Sequence, residues 1–171
     1  MSIHYATAES FHYASLEQST PILNVLTRIV WPCSESQIPA IIALLQWEFV
    51  ADRVHVEANT HLPLNRTTGE FAKPHGSLTR LSFPVSDAID STDSRSGAVL
   101  EQSFLSVIRE VESVLGPMSG QDDNEDVWWD LDSGGRLHLE RLSRFLEIQL
   151  LSQQLADAER YEATHDMGGS W

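Results

Sequence analysis

The sequence predicts an α+β fold, a single domain in which one curved, mainly antiparallel sheet has helices packed on one face. The chain has 171 residues, 42% of them hydrophobic, which suits one globular core. Apolar residues recur every three or four positions near residues 22–30, 38–45 and 98–115, as in amphipathic helices. Period-two segments follow one another between residues 126 and 150, which favours antiparallel strands.

Two short helices are predicted first. Pro21 fits the first turn of the first helix, and Pro32 ends it. A second helix begins near Ser34 or Ser36 and ends near Trp47, and Ser34 with Gln37 has the spacing of a capping box.

The next part of the chain is predicted as strands and loops. The apolar residues between positions 49 and 56 indicate one strand. Residues 59–76 contain two prolines and two glycines and predict a long exposed connection. Residues 77–85 indicate a further strand, and residues 86–97 a polar linker.

Residues 98–115 form the clearest helix, which Gly116 would cap. A strand is predicted at 126–131, joined by an Asp-Ser-Gly-Gly turn to a second strand at 136–142. The alternation of Leu146, Ile148 and Leu150 adds a third strand to this hairpin.

A polar helix at 153–164 is predicted to pack through Leu155, Ala158 and Tyr161. The α+β domain is accordingly placed at residues 20–165. Residues 1–19 are an N-terminal extension that could supply an edge strand, and residues 166–171 are a flexible tail.

Composition limits the classes of function. The formal net charge of −14 repels nucleic acid and anionic membranes and favours basic partners. Cys33 is the only cysteine, so no internal disulfide can form, which suits a reducing cytoplasm. The first residues do not resemble a signal peptide, and no apolar stretch approaches the length that spans a bilayer.

Motifs of catalysis are missing from the sequence. There is no HExxH, GxSxG or phosphate-binding glycine loop, and the seven histidines lack the spacing of metal ligands. Cys33 has no recognisable catalytic partner and is predicted to be an unreactive packing residue. We therefore expect no catalytic residues, no metal and no cofactor.

Residues 121–135, with the sequence QDDNEDVWWDLDSGG, are the most unusual segment. Four acids precede Trp128 and Trp129, which point to opposite sides of a strand. One tryptophan can enter the core, and the other must lie under a helix, remain exposed or meet a partner. Two interpretations stay open, a solvated charged loop and a partner-binding loop. The predicted contact patch comprises Asp122, Asp123, Glu125, Asp126 and Trp128.

The long connection supplies a second candidate surface. A loop of this length can project from a domain and plug a cleft on a partner. The candidate residues in this loop are Asn65, Arg66, Lys73 and His75.

Several short segments form a distinctive set: the tryptophan strand 128–131, the Gly-Gly turn, Arg-Leu-His-Leu at 136–139, and residues 150–152 and 156–160. These segments resemble a group of small, acidic actinobacterial proteins associated with polymorphic toxins. The helix end at Leu45-Gln46-Trp47 also fits. The resemblance implies neutralisation of a toxin by direct contact, and by family analogy a toxin that hydrolyses NAD or targets nucleotides or RNA.

We therefore expect an immunity protein (antitoxin) that blocks the basic active-site cleft of a cognate secreted toxin. It would act in the cytoplasm as a monomer that forms a 1:1 heterodimer. One alternative is a secretion chaperone for an exported effector, which would be a dimer with exposed hydrophobic patches. Another is an enzyme of unrecognised type, which would need clustered, perturbed titratable groups in a pocket.

Overall fold

The computed structural model of the protein describes residues 4–123 and 126–166. Helices α1 to α4 span Leu16–Leu26, Ile38–Leu45, Ser96–Leu115 and Gln153–Asp166, and a 3₁₀ turn at Glu35–Gln37 leads into α2. The strands are β1 Glu48–Asp52, β2 His55–Asn59, β3 Thr68–Ala72, β4 Arg80–Pro84, β5 Gly120–Gln121, β6 Val127–Asp130, β7 Arg136–Arg141 and β8 Leu146–Leu151.

All eight of these strands form one antiparallel sheet in the order β1-β2-β3-β4-β8-β7-β6-β5. The chain builds the first half as a meander and passes through α3 to the far edge. It then returns as a second meander until β8 pairs with β4. The predicted α+β class is confirmed. None of the helices in the described ranges combines the length and apolar character needed to cross a bilayer.

Two capping boxes are present among the described residues, and the sequence predicted one of them. The box at Ser34 and Gln37 is present and starts the turn before α2, as the sequence predicts. A second box, formed by Ser15 and Gln18, starts α1 at Leu16, so the predicted domain boundary at residue 20 falls inside a helix. The described residues before α1 join no strand of the sheet; isolated bridges pair Ala6 with Ile89 and Tyr13 with Ser86.

Two strand predictions in the first half are wrong. The single strand at 49–56 is a hairpin of β1 and β2, whose turn holds Val54 with 83% of its surface exposed. The predicted loop at 59–76 contains β3, which pairs with β2 and β4. Position 69 in β3 requires glycine, because a Cβ atom there would lie 2.7 Å from the Trp47 ring. Glycine is uncommon inside strands, so it weakens the strand signal in the sequence.

The predicted polar linker after β4 is partly buried. Ser86, Asp87, Ala88 and Ile89 are all buried, and the backbone of Ala88 is held by the side chain of Asn65. Burial is possible because these polar groups have hydrogen-bond partners. The helix that follows agrees with the prediction to within two residues at its start and ends before Gly116 as expected.

The apolar residues of α1, α2 and α3 pack against one face of the sheet and form the core with Phe71, Phe83, Trp129 and Leu137. Helix α4 is the exception, because its Glu159 contacts Arg136 and His138 on the opposite face. Two of its three predicted packing residues are also wrong, because Ala158 and Tyr161 are exposed; Leu155 is half-buried, and the fully buried residue is Ala156.

Candidate partner-binding surface

The face of the sheet turned away from α1, α2 and α3, which we call the open face, is polar. Strand residues alternate between faces, so each strand that supplies a leucine to the core also presents a polar side chain here. Its members include His55, Glu57, Glu70, Arg80, Ser82, Trp128, Asp130, Arg136, His138, Glu140, Glu147 and Gln149.

Glu140 and Glu147 lie directly opposite each other on β7 and β8. The Nε2 atom of Gln149 donates hydrogen bonds to Oε2 of Glu140 at 3.2 Å and to Oε1 of Glu147 at 2.9 Å. Burial, followed by the charges of Asp126 and Glu147, raises the pKa of Glu140. Burial also raises the pKa of Glu147, with a contribution from Glu70, so the two carboxylates are costly to ionise together.

These two carboxylates belong to a longer row. Burial and the charge of Asp122 raise the pKa of Asp126, whose Oδ1 accepts a hydrogen bond from the backbone N–H of Arg141 at 3.3 Å. The row runs from the loop after β5 across β7 and β8 to β3. We call it the acidic row, and its members are Asp122, Asp126, Glu140, Glu147 and Glu70.

Two depressions of about 460 and 260 Å³ lie side by side on the open face and share Glu70, Ser82 and Glu147. The larger is bounded by Arg66, whose guanidinium carbon is 4.2 Å from the ring centre of Phe145. Arg80 borders the smaller one, and its charge lowers the pKa of both Glu140 and Glu147 without cancelling the rise.

The acidic row suits the binding of cationic groups. Carboxylates on rigid strands can accept charge-assisted hydrogen bonds from arginine or lysine side chains. In the described ranges no group of three or more His, Cys, Asp or Glu residues is arranged to hold a metal ion.

The predicted acidic patch is only partly assembled as expected. The backbone N–H of Asp126 donates to Oδ1 of Asp122 at 3.0 Å, and the backbone N–H of Asp122 donates to the carbonyl oxygen of Asp126 at 3.0 Å. Both residues belong to the acidic row. Asp123 is exposed in the adjoining turn, and Glu125 lies outside the described residues.

The tryptophan pair divides between the faces as predicted. Trp129 is 2% exposed and donates from Nε1 to the carbonyl of Gly116 at 3.0 Å. Trp128 is half-buried, with its ring 5.8 Å from that of His138 and 5.1 Å from the guanidinium of Arg136. Trp128 therefore lies on the open face as a half-buried side chain.

The second predicted patch does not form a projecting plug, because β3 occupies its middle. Asn65 holds the backbone of His4 and Ala88, and Lys73 forms ion pairs of 3.1 Å with Glu35 and Asp52. His75 is exposed in a turn at the end of β3. Of these four residues, Asn65 and Arg66 line the larger depression of the open face.

Four residues of the open face were not predicted as site residues: Glu70, Glu140, Glu147 and Gln149. Three of them lie on correctly predicted strands, and their alternation with leucines already placed them on the outward side. The local pattern contained no information on strand register, which is what sets Glu140 opposite Glu147.

Comparison with known proteins gives one match. No curated protein and no solved structure matches the chain. A sequence family described as a family of unknown function matches residues 17–152, which include all eight described strands and end directly before α4. The chain therefore belongs to this family of unknown function, DUF6301.

Proposed function

We propose that this protein is an immunity-type inhibitor that binds a cognate secreted toxin through the open face. In this proposal the acidic row covers a cationic active-site cleft on the toxin. The observation that carries it is the row itself, in which burial and neighbouring carboxylates raise the pKa of Asp126, Glu140 and Glu147.

The raised pKa values mean that ionised carboxylates are held together at a cost in the free protein. An arginine or lysine placed between Glu140 and Glu147 would remove that cost, because it supplies the missing opposite charge and further hydrogen bonds. A cation bound between Glu140 and Glu147 would therefore gain the free energy that ionising both carboxylates costs in the free protein. A surface meant only for solubility would keep its acids apart and fully hydrated.

The charge of the whole chain favours the same kind of partner. A net charge of −14 attracts a cationic protein over distances of about 10 Å at moderate salt, which speeds encounter. Toxins that act on NAD, nucleotides or RNA need cationic pockets for anionic substrates. We therefore propose a toxin of this class, bound 1:1 by a monomer in the cytoplasm.

The test is to co-express the chain with the products of genes adjacent to its own and to measure binding of any captured toxin. The double substitution Glu140→Gln/Glu147→Gln should weaken binding at least about thirtyfold, because truncating one side of a buried charge pair costs about 2–5 kcal/mol. The matched control is Glu17→Gln/Glu101→Gln, which removes two charges from exposed sites on α1 and α3.

The control should slow association slightly and leave the dissociation rate unchanged. Equal affinities of the two double variants for the toxin would remove the acidic row from the interface. Release of toxin inhibition only in the Glu140→Gln/Glu147→Gln variant would support it.

A secretion chaperone remains the second candidate because of one apolar groove. This groove, of about 320 Å³, lies between α1 and α2 and is bordered by Val30 and Leu44, with 76% and 68% of their surfaces exposed. An exported chain could lay apolar side chains into it. Sizing experiments separate the candidates, since a dimer that binds an unfolded effector favours the chaperone and a monomer that binds a folded toxin favours the inhibitor.

A further inference from the structure

Helix α4 lies on the open face but contributes little apolar surface to the fold. Ala156 is its one fully buried residue among those described, and Tyr161 has 63% of its surface exposed. Helices α1, α2 and α3 each place several apolar side chains in the core. The position of α4 therefore depends mainly on polar contacts.

The strongest of these contacts hold the guanidinium group of Arg160. Its Nη2 atom donates to Oδ1 of Asp130 at 2.8 Å, and both Nη atoms lie 3.2 Å from the carbonyl oxygen of Gly134. Nη2 is also 3.5 Å from the carbonyl oxygen of Gly135. Gly134 has φ +95°, a conformation that favours glycine and that turns the chain between β6 and β7.

The carboxylate of Asp130 forms ion pairs with both Arg136 and Arg160. Burial would raise its pKa, but hydrogen bonds from Arg136 and Arg160 outweigh this effect and lower it. The Asp130 side chain and the two turn carbonyls therefore form a site that binds a guanidinium group. In the free protein the chain fills this site with its own Arg160, whose Nη1 also bonds to Asp157 on α4 itself at 2.7 Å.

A second contact joins α4 to the neighbouring part of the open face. Oε1 of Glu159 lies 2.8 Å from Nε2 of His138 and 3.5 Å from Nη1 of Arg136. Both partners are largely buried, and both lie on the same side of β7 as Glu140. Helix α4 thus covers the end of the face on which the acidic row lies.

We propose that α4 is a displaceable internal ligand, and that an arginine-bearing segment of the partner replaces Arg160 at the site formed by Asp130, Gly134 and Gly135. This inference deepens the proposed function, on which it depends for the partner's use of the open face. Displacement of α4 would uncover Arg136 and His138 and enlarge the contact surface. Ion pairs that are partly exposed contribute only about 0–1 kcal/mol each, so such a helix can open without unfolding of the sheet.

The first experiment uses the full chain without any partner. Glu159→Ala/Arg160→Ala removes both contacts while keeping the net charge and a high helix propensity. Amide hydrogen exchange in residues 153–166 should become at least about tenfold faster, with exchange in β8 unchanged. The matched control, Glu101→Ala/Arg109→Ala, makes the same change at exposed positions on α3 and should leave α4 as in the wild type.

Unchanged exchange of α4 in the Glu159→Ala/Arg160→Ala variant would overturn the proposal. Acceleration of β8 to the same extent would also overturn it, since α4 would then be part of the cooperative fold.

The second experiment measures binding of a ten-residue polyarginine peptide to the same three proteins. The variant with the vacated site should bind it about tenfold more tightly than the wild type or the α3 control, although all three share one net charge. A polylysine peptide of equal length should gain less, because lysine lacks the planar fork that fits a carboxylate and two carbonyls. Equal polyarginine affinity in all three proteins would refute an internal ligand.

Failure of this inference differs from failure of the proposed function. If Glu140→Gln/Glu147→Gln leaves toxin binding intact while the Glu159→Ala/Arg160→Ala variant still gains polyarginine affinity, the guanidinium site stands and the inhibitor proposal falls. The reverse result keeps the acidic row as the toxin interface and removes α4 from it.

Discussion

Alternate residues of the same strands form the two faces of the sheet, but the side chains of the two faces contribute differently to the stability of the fold. On the covered face an unbroken apolar row crosses six strands, through Val56, Phe71, Leu81, Leu150, Leu137 and Trp129. On the open face the same strands carry carboxylates, arginines and amides. The covered face supplies hydrophobic stabilisation, whereas the open face keeps charges close together at a cost.

This difference shows where binding is expected in a fold without a recognised catalytic motif. Natural proteins tolerate residues that destabilise the fold locally where function needs them, and stabilising contacts elsewhere in the fold offset the cost. Glu140 and Glu147 are such a choice, because like charges directly opposite each other destabilise a sheet. The apolar row beneath them compensates for that cost.

The largest expected effect on the free energy of unfolding comes from substitution of the adjacent Trp128 and Trp129, whose side chains lie on opposite faces of the sheet. Trp129→Ala should lower the free energy of unfolding by about 3–5 kcal/mol, because it empties a filled core position. Trp128→Ala should lower it by about 1 kcal/mol, mainly through the lost contact with Arg136. Urea denaturation checks both, and similar losses would show that the two faces contribute equally to stability.

A smaller effect is expected at Asn65, an exposed residue whose side chain bonds to the backbone of the buried Ala88. Asn65→Ala should lower the free energy of unfolding by about 1–3 kcal/mol, because it leaves the N–H and carbonyl of Ala88 without that partner. Its neighbour provides the control, since Arg66→Ala on the open face should cost about 1 kcal/mol or less. A larger loss at Arg66 in thermal or urea unfolding would contradict this division.

The smallest expected effect is on the pH dependence of the free energy of unfolding. Its sign at Glu140 and Glu147 is opposite to its sign at Asp130. Glu140 and Glu147 have pKa values raised above the ordinary 4.5, so the stability they contribute is fully present below that pH and is lost as pH rises through the folded values. Glu140→Gln/Glu147→Gln should therefore be more stable than the wild type at pH 7, with the difference shrinking towards pH 4.

Asp130 provides the reciprocal case, because its pKa is lowered from 3.8. Its contribution is present above pH 3.8 and is lost as pH falls through the lowered value. Asp130→Asn should thus be less stable than the wild type at pH 7. Unfolding curves collected across pH 3–8 test both signs, and parallel curves for all three proteins would contradict the assignment of cost to the acidic row.

Local signals in the sequence predicted most of the elements. The 98–115 helix, the capping box at Ser34 and the hairpin joining β6 to β7 all depend on residues close together in the chain. The failures have a common cause. Gly69 weakens the strand signal of β3 but is required by the ring of Trp47, 22 positions away in sequence, and the buried side of α4 depends on what lies beneath it.

The candidate site was predictable only at one end. The acids at 122–126 are dense enough to attract notice in the sequence, and Asp122 and Asp126 do enter the acidic row. Arg66, Lys73 and His75 were grouped because they are close in sequence, but the strand between them separates their side chains. Glu140 and Glu147 were not predicted as site residues, because the alternation of each strand gives no indication that they face each other.

The sequence by itself determined the α+β class, the anionic character and the assignment of alternate residues to opposite faces. These properties follow from composition and from side-chain periodicity, which are local. Only the tertiary structure decided the strand order, the register that pairs Glu140 with Glu147, and the docking of Arg160 against Asp130. Such contacts join residues far apart in the chain, and they form because the packing of the whole sheet offsets the loss of chain entropy that each one costs.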